Sequence, residues 1–81
     1  MLILRNAYTR VRRQQVDGED CVAVLAGEAG QPKAAIQLSL RAAKLMQAEL
    51  EQALTWGALG PEEESAQTAR VARLRKELNG N

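Results

Sequence analysis

The sequence predicts an α+β fold, a three-stranded antiparallel meander followed by two helices (β-β-β-α-α), with the first helix packed on one sheet face. Three observations carry that expectation. Asp17-Gly18 separates two strand-like runs, the pattern of a two-residue type I′ hairpin turn in which both central residues need positive φ. The stretch Ala34–Leu54 changes period partway. Ala34, Ile36, Leu38 and Leu40 alternate as in a half-buried strand, whereas Leu45, Met46, Leu50, Ala53 and Leu54 recur at helical spacing. Finally, Pro61 with Glu62, Glu63 and Glu64 reads as a helix start, and Asn79-Gly80 as a helix stop.

Taken in order, Met1–Leu4 is a short apolar opening, and the first strand runs from Ala7 to Val16 with Tyr8, Thr9, Val11 and Val16 as its β-formers. A tight Asp17-Gly18 turn sets Val16 opposite Glu19. Counting outward then pairs Arg13 with Val22, Val11 with Val24 and Thr9 with Ala26. These pairs are expected to form the inner face, joined by Ile36 and Leu38 of the third strand. The opposite face would carry Tyr8, Arg10, Arg12 and Gln14 against Gly27, Leu25, Ala23 and Cys21.

Gly27–Pro32, with two glycines and a proline, is expected to be a wide hairpin loop before a strand from Lys33 to Leu38. Ser39 is placed to cap the first helix, which runs from Leu40 to about Leu54 with its junction reaching Trp56. Gly57 and Gly60 then interrupt the helical pattern. The second helix, 61–78, has acids in its first turn and Arg70, Arg73, Arg75 and Lys76 toward its end, the order a helix dipole favours. Its apolar stripe, Val71, Leu74 and Leu78, is narrow. The expected organisation is one small domain, with the sheet over 7–38, a core helix over 39–56 and a C-terminal helix over 61–78.

Composition limits function more than it identifies it. At 81 residues the core is small, and with aromatics at 2% it must be built from aliphatic residues and alanine. The net charge of +1 does not indicate a polyanion-binding protein. One cysteine cannot form an internal disulfide, which suits a reducing, bacterial-type cytoplasm. No apolar run is long enough for a membrane span.

No catalytic, cofactor or metal motif stands out. Histidine, the commonest general base and metal ligand, is absent. Cys21 next to Asp20 lacks the electropositive setting of a reactive thiol. Asp17, Glu19 and Asp20 read as solvated turn residues, and the glycines near residue 30 do not match a phosphate loop.

Two interaction readings follow. The favoured one is a non-enzymatic protein-binding module or accessory subunit, self-associating as a dimer through Trp56, Leu59, Val71, Leu74 and Leu78. In that reading Trp56 is either a lid on the core or an interface anchor. The alternative is a nucleic-acid-binding regulator that uses Arg5, Arg10, Arg12 and Arg13 on phosphates.

Overall fold

The computed structural model describes residues 8–28 and 30–80. The apolar opening Met1–Leu4, Arg5 and the expected strand start at Ala7 lie outside them. The described elements follow the predicted order: β1 (Tyr8–Val16), β2 (Glu19–Glu28), β3 (Gln31–Ser39), α1 (Leu40–Leu54) and α2 (Pro61–Leu78). They fall into two compact units that divide between Leu40 and Arg41.

The first unit is an antiparallel sheet with strand order β1-β2-β3. Asp17 (φ 52°) and Gly18 (φ 83°) both occupy the left-handed region that a type I′ turn demands. The turn fixes the register as expected, with Val16 opposite Glu19, Arg13 opposite Val22 and Val11 opposite Val24. β2 then pairs with β3 through Val22–Leu38, Val24–Ile36 and Ala26–Ala34.

Two expectations about this sheet are corrected. The Gly27–Pro32 segment is not a wide loop, because β2 continues to Glu28 and β3 begins at Gln31, opposite it. The sharp return has two sources. Gly30 takes a φ of 77°. At Gly27 the strands approach so closely that a Cβ would lie 2.8 Å from the Pro32 Cα and closer still to the Gln31 carbonyl. The register shifts between Ala26 and Gly27, which leaves Lys33 as an extra residue on β3, in the manner of a bulge.

The second correction concerns facing. Val11 is 68% exposed and Ile36 53%, while Cys21, Ala23 and Gly27 on the opposite face are buried. The period of two is present, but burial falls on the side with the smaller residues. Ala23 sits on the central strand between Arg12 and Gln37, and Cys21 between Gln14 and Ser39. Small side chains there have little surface of their own, and long polar stems beside them can shade it. Among the described residues, Val11 and Ile36 stand on the two outer strands, where each has a register neighbour on one side only.

The second unit is a helical hairpin. Leu45 and Ala48 of α1 and Val71 of α2 form its buried cluster, with Leu74 packed against it. Polar pairs extend the contact along the hairpin. Gln52 Nε2 donates to Thr68 Oγ1 (3.4 Å) and Gln67 Nε2 to Thr55 Oγ1 (3.1 Å). Arg70 pairs with Glu51 and Arg75 with Glu49, both at 3.2 Å. The connection turns at Gly57 (φ 76°), where the Ala58 amide donates to the Thr55 carbonyl at 2.9 Å. α2 begins with Gly60 as N-cap and Pro61 in its first turn, followed by Glu62, Glu63 and Glu64; Arg75 and Lys76 occupy its last turn. Among the described residues, no helix is long and apolar enough to cross a membrane.

Candidate interaction surfaces

α1 carries two apolar ladders rather than one stripe. At about 100° per residue, Leu45 and Ala48 lie on one side of the helix, and Met46, Leu50 and Leu54 lie nearly opposite. The first ladder is buried against α2. The second is open to solvent: Leu50 is 57% and Leu54 77% exposed, and Trp56, just past the helix end, is 83% exposed. The adjacent pair Leu45-Met46 held the signal for this split, because neighbours on a helix are too far apart in angle to share one narrow face.

The five residues expected at an interface are therefore in different settings. Val71 is buried within the hairpin and Leu74 packs beside it. Leu59 is half-buried, Leu78 lies at the margin of exposure, and Trp56 projects from the turn. Trp56 is not a core lid. Met46, Leu50 and Leu54 complete an exposed set with it, and sequence reasoning had assigned them to the core face.

Beside Trp56 a cleft of ≈ 20 Å³ is lined by Gln52, Thr55, Gly57, Leu59, Glu64 and Gln67. Such a space admits about one water molecule and is too small for a metabolite.

On the sheet, Arg10 and Arg12 are exposed and share a face, whereas Arg13 is turned to the other and engaged by Asp20. Its Nη2 donates to Asp20 Oδ2 at 3.0 Å, and Gln15 Nε2 donates to Oδ1 at 3.3 Å. These hydrogen bonds, led by Arg13 and reinforced by its charge, hold the Asp20 carboxyl below its usual range. The arginine strand thus contributes two guanidiniums on one face, with a carboxylate engaging the third on the other. Arg5 lies outside the described residues. Cys21 is a free, buried thiol. Among the described residues, no group of three or more metal-ligating side chains comes together.

Among the described residues, β1 and β3 are the outer strands of the sheet. Side chains from Gln31 to Gln37 of β3 are all exposed. The cross-strand row Val11–Val24–Ile36 spans the sheet from one edge to the other. No protein-family model, curated protein or solved structure matches the chain.

Proposed function

We propose that the chain is a small non-enzymatic protein-binding module of the cytoplasm that self-associates through its helical unit. One observation carries this reading: Met46, Leu50 and Leu54 are exposed together on the side of α1 turned away from α2, and Trp56 is exposed just past the end of that helix. A partner can cover that ladder without disturbing the buried Leu45–Ala48–Val71 cluster. A contiguous apolar set of this kind is a common mark of an interaction surface. Its spacing also suits a second copy. In an antiparallel two-fold arrangement centred on Leu50, Met46 of one chain meets Leu54 of the other, so the surface is its own complement. The flanking Glu49 and Glu51 are paired with Arg75 and Arg70 of their own chain, which reduces like-charge repulsion across such a contact.

Trp56 reports directly on this surface. Its fluorescence should shift to the blue and become shielded from quencher as protein concentration rises, with a parallel increase in sedimenting mass. Leu50→Glu should abolish both changes while leaving the helical circular dichroism intact. Leu74→Glu is less informative, because Leu74 packs against the hairpin's own core. A Trp56 signal that stays fully quenchable at high concentration would reject the reading. A nucleic-acid complex that weakens steeply with salt and is lost in an Arg10→Glu, Arg12→Glu variant would put the regulator reading in its place.

A further inference from the structure

We propose that β3 is a self-pairing edge, and that Ala34–Leu38 of one chain pairs antiparallel with the same segment of a second copy about a two-fold axis at Ile36. Each outer strand of a three-stranded sheet directs one row of backbone N–H and C=O groups away from its neighbour, and those groups recognise another strand. The two edges of this sheet differ in how they meet that liability.

β1 carries Arg10, Arg12 and Arg13 within four residues. An antiparallel pairing of β1 with its own copy, centred anywhere from Arg10 to Arg13, places one guanidinium opposite or diagonal to another, an unfavourable arrangement. β3 has no charged residue between Ala34 and Ser39. Its guards, Pro32 and the extra residue Lys33, sit at one end only. Ala34 to Gln37 are exposed, so this part of the strand is open to a partner.

The occupant follows from what pairing would bring together. About Ile36, the opposed residues are Ile36 with Ile36, Ala34 with Leu38, Ala35 with Gln37 and Lys33 with Ser39, and no like charges meet. The row Val11–Val24–Ile36 then continues into the second sheet as Ile36–Val24–Val11, joining two apolar rows, each with its Val11 and Ile36 exposed, into one across six strands. Pairing consumes both β3 edges and, among the described residues, leaves the arginine-bearing β1 edges outside, so growth through the sheet stops at two chains. This contact is independent of the helical ladder.

The test therefore uses a Leu50→Glu background, in which the helical contact is removed. Sedimentation of that chain should show a reversible monomer–dimer equilibrium. Hydrogen exchange should show amides within Ala34–Leu38 gaining protection as the dimer forms. Ile36→Lys, which sets two ammonium groups face to face, should weaken the dimer by about ten-fold or more, while Ile36→Val retains it. Should Ile36→Lys fail to fold, an Ile36→Cys chain decides. It should cross-link to its copy under diamide, and a Val11→Cys chain should not. A strict monomer at high concentration, a dimer indifferent to Ile36→Lys, or mass growing past two chains as β3 pairs head-to-tail with β1 would each overturn the proposal. Because Trp56 reads the helical contact and β3 exchange reads this one, the two readings fail separately.

Discussion

The two units achieve order by different means. In the sheet, the side-chain hydrogen bonds that support the first hairpin join residues five and seven positions apart, Gln15 with Asp20 and Arg13 with Asp20. Its shape depends on backbone conditions: positive φ at Asp17, Gly18 and Gly30, and the close approach at Gly27. In the helical hairpin, the polar contacts between helices join residues 12 to 26 positions apart and surround a small buried cluster. The sheet is thus specified by local chemistry, and the helix pair by side chains that find each other across the chain. Substitutions should separate the two.

The largest effect is expected at Val71, the buried residue of α2. Val71→Asp places a carboxylate against Leu45 and Ala48 with no partner, and should cost about 3 kcal/mol or more. Chemical denaturation measures the loss, and hydrogen exchange locates it. Amides of α1 and α2 should lose protection first. Equal and simultaneous loss in β1 and β2 would break the comparison, since the two units would then unfold as one.

Next comes Gly27→Ala. The added Cβ meets backbone atoms of Gln31 and Pro32 rather than a side chain that could swing aside, so the second hairpin must open, at about 1–3 kcal/mol. Chemical shifts of β3 should move while those of the Asp17-Gly18 turn stay in place. Gly18→Val follows, at about 1–2 kcal/mol, because a β-branched residue is poorly suited to a φ of 83°. Unchanged thermal stability of that variant would show that the turn does not set the register.

The same contrast explains what was legible in the sequence. Asp17-Gly18 specifies a turn by itself, and counting from it yields the pairing of β1 with β2 residue for residue. Helix limits were similarly local, marked by Ser39, the glycines of the connection, Pro61 and Asn79-Gly80. The second turn was missed because the need for glycine at Gly27 comes from the opposing backbone, which no local pattern announces. Facing was missed because Val11, Val24 and Ile36 outweigh Cys21 and Ala23 in any apolar count. Burial instead depends on strand position and on what stands beside each residue. The candidate site was half visible. Trp56 could be singled out by its rarity, but dividing the apolar residues of α1 into two ladders requires knowing which side α2 takes.

The smallest expected effect tests the local side of the comparison. Asp20 accepts hydrogen bonds from Arg13 and Gln15 across the first hairpin, and these lower its pKa from the ordinary 3.8. A carboxyl whose pKa is depressed by folding contributes stability that is present above its unfolded value and is lost as pH falls through the folded one. Both partners of the ion pair are largely solvated, so the contribution is small and sensitive to salt. Thermal melts of the parent and an Asp20→Asn variant should therefore differ slightly at neutral pH in dilute buffer. The difference should shrink in about 1 M salt, where screening acts within a few ångströms, and should vanish below the ordinary carboxylate range. A difference that persists in acid would show that Asp20 acts through the shape of its hydrogen bonds rather than through its charge. The side-chain support of the hairpin would then lie in hydrogen-bond geometry and not in an ion pair.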